Sequence, residues 1–235
     1  MDSLNCIIID DIKTDALSVL SLLKKHSNYN VLGVFNNTLE AKECIENNTI
    51  DIAFLDIELP GESGIDFRKR LMNVPVCIFV SSFPEYALEG FDVEAFDFIT
   101  KPLDEGRFVK TVNRIDEYFV MKIKASFYEE GKIENDTFIV KERNNIVKIK
   151  FQDILFLEAL KDYTTIVTAQ KRYYFLANLG KLLKEPFFES FIRIHRSYAV
   201  QKNYIFSISR LEITLNNEIK IPIGKSYKDN VKLLQ

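Results

Sequence analysis

No apolar run in the chain approaches the roughly 18–20 residues needed to cross a bilayer as a helix, so no membrane span is expected. Cysteine is scarce. Cys6, Cys44 and Cys77 are odd in number, far apart and confined to the first half, which excludes a disulfide framework. Cys6 and Cys77 fall inside apolar runs and read as buried reduced thiols, as in a cytosolic protein. Histidine is scarcer still, with only His26 and His195, and no Cys/His spacing resembles a zinc site. Glycine-rich phosphate loops are missing too. The N-terminus, MDSLNCIIIDD, has no basic segment and its apolar run ends at Asp10, so it does not read as a signal peptide. A cytoplasmic protein is expected.

The 235 residues are 47% hydrophobic and 28% charged, an ordinary globular balance with material for two cores. The net charge of −3 hides an asymmetry. Residues 1–122 carry 12 basic against 21 acidic side chains, and residues 123–235 carry 19 against 13. An acidic half joined to a basic half suggests two domains with different partners, and the basic half is a candidate for nucleic acid.

The first half alternates short apolar runs with helix-like stretches. CIII (6–9), VLGVF (31–35), IAFL (52–55), VCIFV (76–80) and AFDFI (95–99) read as strands. The stretches 13–25, 39–46, 65–72, 85–90 and 104–121 read as helices; in the first of them Ala16, Leu17, Leu20 and Leu23 supply the apolar spacing. Runs that are apolar throughout fit strands buried on both faces. The expectation is a doubly wound, five-stranded parallel α/β sheet over residues 1–122.

The second half changes character. After a polar linker at 123–136, residues 137–235 hold short β-branched or aromatic runs separated by turn-like pairs such as Asn144-Asn145, Lys161-Asp162 and Asn216-Asn217. A mostly antiparallel β domain is expected, with short helices at Leu179–Leu183 and Tyr227–Leu234.

In open α/β sheets, ligands bind beyond the carboxyl ends of the strands. Asp10 and Asp11 follow the first run, Asp56 the third, Ser81 and Ser82 the fourth, and Lys101-Pro102 the fifth. Each piece alone has an ordinary explanation as a solvated acid or a turn former. Together, three carboxylates on one rim repel one another unless a cation joins them. A hard divalent ion, Mg²⁺ first, with one ammonium, fits. Such a rim suits phosphoryl transfer to a carboxylate. Gly61 and Gly64 in LPGESG read as shaping the loop beside Asp56.

The segments IIIDD, FLDIELPGESG, VSS and ITKP resemble the receiver domain of two-component response regulators, over about residues 1–120. The resemblance implies that Asp56 is the phosphoacceptor. It implies that Asp10 and Asp11 hold Mg²⁺, completed by Asp56 and the main-chain carbonyl of Glu58. Lys101 would pair with the phosphoryl group, next to a cis bond to Pro102. Ser81 would be the switch hydroxyl and Phe98 the switch aromatic. Three positions depart from the family pattern. Ile12 stands where glutamate is common, Ser81 where threonine is usual, and Phe98 has no hydroxyl to bond outward. A sensor histidine kinase is the implied partner.

In the basic half, FIRIHRSYAV places Arg193, His195 and Arg196 among apolar residues, next to Ser197 and Tyr198; such groups suit phosphate and guanine contacts. DILFLEALKDYTTI, FIRIHRSYAVQKNYI and EIKIPIGKSYKDNV resemble the LytTR-type DNA-binding domain over 137–235. This implies a ten-stranded β fold that holds double-stranded DNA by loops. The loops carried over lie around Lys161–Tyr163 with Lys171-Arg172, around His195-Arg196, and around Gly224–Ser226. Arg196 and Lys225 stand out for major-groove contacts, with Lys228 on phosphate. Binding of direct repeats as a homodimer is also implied. A phosphatase of the haloacid dehalogenase type would share the aspartate, lysine and Mg²⁺. That class usually has a second aspartate two residues on, where this chain has Glu58, and no cap is visible. A protein-binding output is disfavoured by the basic sign of the second half. The expectation is therefore a transcription regulator and not an enzyme.

Overall fold

The computed structural model describes every residue except 1, 2, 88, 89, 91, 92, 127–131, 135, 136, 143, 144, 233 and 235, and only the backbone of 132–134, 141 and 142. The chain divides into two compact units after Ile115. Expectations that touch Leu88, Glu89, Arg143 or Asn144 lie outside the described residues.

The first unit contains five strands, β1 (Leu4–Ile9), β2 (Tyr29–Phe35), β3 (Ile52–Leu55), β4 (Val76–Ser81) and β5 (Asp97–Thr100). They pair in parallel in the order β2-β1-β3-β4-β5. Helices α1 (Lys13–Leu23), α2 (Thr38–Asn47), α3 (Gly64–Arg70) and the first half of α4 (Glu105–Ala125), which runs past the division at Ile115, accompany them. This is the doubly wound parallel sheet expected from the runs. The period of two sends Ile7, Ile9, Ala53, Leu55, Cys77 and Phe79 into one core cluster. Their neighbours Ile8, Phe54 and Ile78 are buried on the other face, where Phe54 stacks on Phe108 at 5.8 Å between ring centroids. In α1 the buried positions are Ala16, Val19 and Leu23; Leu17, read as part of the apolar stripe, is exposed. The stretch expected as a helix at 85–90 begins as a 3₁₀ turn at Pro84–Tyr86. Cys6 and Cys77 are buried and unbridged, and burial, with the charge of Asp51, pushes the Cys6 thiol up to about 12.

Arg68 is almost fully buried, and its guanidinium donates to backbone carbonyls. Nη1 reaches Leu71 O at 2.6 Å and Val74 O at 2.9 Å, Nε reaches Val93 O at 3.3 Å, and Nη2 reaches Glu94 O at 3.5 Å. Glu94 itself sits at φ +55°, in the left-handed region that side chains disfavour. Arg68 thus joins the end of α3 to the segment that leads into β5.

The second unit is built on a five-stranded antiparallel sheet of β9 (Ile154–Leu160), β10 (Tyr163–Thr168), β11 (Arg172–Leu176), β12 (Phe191–His195) and β13 (Tyr198–Gln201), ordered β11-β10-β9-β13-β12. One face packs Leu157, Ile166, Phe175 and Ala199 against Phe138, Val140 and Ile149 of a three-stranded sheet, β6 (Lys132–Glu134), β7 (Thr137–Glu142) and β8 (Asn145–Lys150). The other packs Phe156, Val167, Ile194 and Val200 against Ile213, Leu215 and Ile221 of a second three-stranded sheet, β14 (Ile205–Ile208), β15 (Glu212–Leu215) and β16 (Lys220–Pro222). The result is three β layers, with the central one buried on both sides. From residue 137 onward the described residues form ten strands, as the resemblance implied. The short helices fall where they were expected, α5 at Leu179–Leu182 and α6 at Lys228–Lys232. No helix among the described residues is long and apolar enough to cross a membrane.

Replacing Arg68 with alanine leaves the buried carbonyls of Leu71, Val74 and Val93 without these donors. The expected cost is about 3–5 kcal/mol, read as a lower urea midpoint for the first unit by amide NMR; a change below about 1 kcal/mol would show that these carbonyls find other donors.

Candidate functional site: the acidic rim and the basic loops

Parallel pairing brings the carboxyl ends of β1, β3, β4 and β5 to one rim. The ladder continues one step past each strand: the Asp56 N–H donates to Ile9 O at 2.9 Å, and the Lys101 N–H to Ser81 O at 2.9 Å. These bonds fix Asp10, Asp56, Ser81 and Lys101 side by side. The peptide bond between Lys101 and Pro102 is cis.

The Lys101 ammonium donates to Asp10 Oδ2 at 2.8 Å, Asp56 Oδ2 at 2.8 Å and Asp15 Oδ2 at 2.9 Å. Asp10 and Asp56 are buried. Their other oxygens accept backbone N–H groups, Asp10 Oδ1 from Ile12 at 3.0 Å and Asp56 Oδ1 from Ile57 at 2.7 Å. Burial pushes the Asp10 carboxyl up, against the hydrogen bonds from Lys101 and Ile12. Burial would push the Lys101 ammonium down, but its bonds to Asp10, Asp56 and Asp15 outweigh this and hold it protonated well above the usual lysine range. Asp15 was not anticipated from the sequence. Its one local mark is its place in the first turn of α1, the helix that follows the Asp10-Asp11 pair.

One oxygen from each of Asp10, Asp11 and Asp56 lies within 4.8 Å of the others, and Asp11 is exposed. Four acids around one ammonium leave negative charge in excess, and the converging donors are all hard oxygens. Both properties fit a divalent cation such as Mg²⁺. Glu58, two residues beyond Asp56, is exposed. Ser81 is fully buried, and its Oγ accepts the Phe83 N–H at 3.2 Å. Phe98 is half-buried against the core beneath the rim.

Gly64 has a specific reason to be glycine. A Cβ there would stand 2.0 Å from the carbonyl oxygen of Asp56 and 3.1 Å from Ile57 Cα. The Gly64 N–H donates to Ile57 O at 2.8 Å, and Ser63 caps α3. Only a residue without a side chain lets α3 begin so close to Asp56.

In the second unit the exposed Arg196 lies in the turn between β12 and β13, beside half-buried His195. Gly224 N donates to Ile194 O at 2.8 Å, and a Cβ on Gly224 would lie 3.1 Å from His195 Cδ2. The loops bearing Arg196 and Lys225 therefore form one cluster, with exposed Lys228 at the start of α6. Arg193 belongs to this cluster in a different way from that expected. Its guanidinium donates to Arg196 O at 2.7 Å and His195 O at 3.3 Å, and lies over the Tyr227 ring at 5.5 Å. It braces the turn. His195 Nδ1 accepts the Ser197 N–H at 3.1 Å. Burial and the charges of Arg196 and Arg193 hold its pKa below the usual range.

Lys171 and Arg172 fall elsewhere. The register pairs Tyr163 with Leu160 and Thr168 with Ile154, while Tyr198 pairs with Glu158. The Lys161-Asp162 and Arg196-Ser197 turns thus share one end of the sheet. The turn that ends at Lys171 lies at the other, about 17 Å of strand away, and Arg172 opens β11 beside it. Arg172 is also paired with Glu158 at 2.6 Å, and Lys171 lies over the Tyr173 ring at 5.4 Å. Tyr163 is buried.

Residues 6–113 match the model of the response regulator receiver domain, and residues 144–235 match that of the LytTr DNA-binding domain. The chain is 26% identical over 242 residues to the sensory transduction protein LytT of Bacillus cereus, covering 98% of both chains. It is 26% identical over 234 residues to the transcriptional regulatory protein YpdB of Escherichia coli, covering 94% of both. Among solved structures, the response regulatory domain of protein mrkE from Klebsiella pneumoniae is 27% identical; the match covers 50% of this chain and 98% of that one, with a TM-score of 0.48.

Gly64→Ala forces either α3 or the Asp56 backbone to move. The expected outcome is a loss of about 2–3 kcal/mol in stability together with changed amide shifts at Asp56 and Ile57; an unshifted spectrum and midpoint would show that the loop gives way freely.

Proposed function

Because the chain belongs to the two-component response regulators that join a receiver domain to a LytTR DNA-binding domain, we propose that it takes a phosphoryl group on Asp56 from a partner histidine kinase and passes the signal to loops that read promoter DNA. The observation that carries this reading is the position of Asp56. It is buried at the rim and bonded to Lys101, and its oxygens lie close to those of Asp10 and Asp11.

A carboxylate oxygen of Asp56 attacks phosphorus, and the donor's leaving group departs from the opposite side. The Ile57 N–H orients the carboxylate, and the Lys101 ammonium takes up charge on a phosphoryl oxygen. Ser81 accepts the Phe83 N–H through Oγ and keeps its own O–H to give, so a phosphoryl oxygen would draw it inward. Phe98 lies on β5 beside this strand end and would follow the Ser81 movement. Asp10, Asp11 and Asp56, with the main-chain carbonyl of Glu58, would hold Mg²⁺, which when bound neutralises charge on the transferring group.

At the output end, Arg196 and Lys225 would enter the major groove, with His195 beside them and Lys228 on phosphate. Arg193 would act by holding the turn. Lys171, at the far end of the sheet, would serve only a more distant stretch of backbone, while Arg172 is held by Glu158. We assign the protein to the cytoplasm, and read the active form as a homodimer on direct repeats.

Asp56→Asn should abolish phosphate uptake from a small phosphodonor, read on phosphate-affinity gels; uptake at the wild-type rate would remove the mechanism. Arg196→Ala should cost roughly 1–3 kcal/mol on the cognate site and blur one base position, while Lys228→Ala weakens all sequences alike. Affinity should fall with salt at a log–log slope of about −0.9 per phosphate contact. A flat salt response would point to a protein partner, and equal losses for Arg196→Ala on cognate and random DNA would refute base reading.

A further inference from the structure

An ammonium has three N–H bonds, and at Lys101 all three are taken, by Asp10, Asp56 and Asp15. A phosphoryl oxygen arriving at Asp56 can claim a Lys101 proton only by displacing one of these acceptors. The three are unequal. Asp10 is 2% exposed and anchored a second time by the Ile12 N–H. Asp56 is also anchored twice and is the group that carries the phosphoryl load. The Asp15 side chain is 32% exposed, so water can take over its hydrogen bonding when the ammonium leaves. Asp15 also sets a negative charge against the lysine that must attract the incoming anion.

We propose that Asp15 is a positioning residue that holds the Lys101 ammonium in the resting protein and is the acceptor surrendered when Asp56 is phosphorylated, so that it acts as a brake on phosphoryl uptake. The inference rests on the reading of Asp56 as phosphoacceptor. It concerns the standard step: the P–O bond of the donor breaks, its electron pair leaves with the leaving group, and an O–P bond forms at Asp56. Asp15 transfers no proton; it only releases a hydrogen bond.

The test compares uptake from acetyl phosphate, with saturating Mg²⁺, by the full-length wild type and by Asp15→Asn, Asp15→Ser, Asp15→Glu and Asp56→Asn. The two neutral variants should react roughly 3–10-fold faster than wild type, since an amide or hydroxyl oxygen holds the ammonium more weakly than a carboxylate and gives it up more readily. Asp15→Glu, which restores the charge, should return towards the wild-type rate. Neutral variants no faster than wild type would overturn the proposal. So would a gain that disappears in high salt, the mark of a long-range charge effect, or an Asp15→Glu protein as fast as the neutral ones. Using both asparagine and serine keeps the result readable if one variant folds poorly. Uptake by Asp56→Asn would instead sink the phosphoacceptor reading, which keeps the two failures apart.

Discussion

The ammonium of Lys101 stands among the carboxylates of Asp10, Asp15 and Asp56, and the organisation of the first unit serves to make that gathering possible. Like charges this close are tolerable only with a cation between them. The parallel sheet supplies the proximity, because each strand delivers its next residue to the same rim. The Ile12 and Ile57 N–H groups supply the remaining hydrogen bonds. Gly64 lets a helix start against the backbone of Asp56. A rim balanced in this way is sensitive to any added anion, as a signal acceptor has to be.

Much of this was legible in the sequence because it rests on order along the chain. Short runs apolar at nearly every position read as strands of a covered sheet, and once they are parallel the residue after each run is placed. Asp10, Asp56, Ser81 and Lys101 followed directly. Asp15 did not, because its role depends on how far α1 tilts over the rim, and no local pattern encodes that. Arg68 was hidden for a related reason. A lone arginine among charged neighbours in FRKR looks like a solvated face, and only the closure of α3 against the segment at 93–94 shows it to be interior.

In the second unit the layered β architecture was readable from short β-branched runs and their turn pairs, while the roles of single cations were not. Arg193, Arg196, Lys171 and Arg172 look alike in sequence. Strand register separates them, since antiparallel pairing sends alternate turns to opposite ends of a sheet. Hydrogen bonding separates them further: Arg193 faces carbonyls of its own turn, Arg172 faces Glu158, and Arg196 remains exposed. Charge on a β surface thus says little about contact until the turn that carries it is placed.

The bond from the Ser197 N–H to His195 Nδ1 has a chemical corollary. It fixes the tautomer: the ring lone pair is occupied and the proton resides on Nε2. An imidazole in that state can only give. Against a base edge or a phosphate it could pair only with an acceptor, such as the N7 of a purine, the O6 of guanine or the O4 of thymine, and would have nothing to offer the amino group of cytosine.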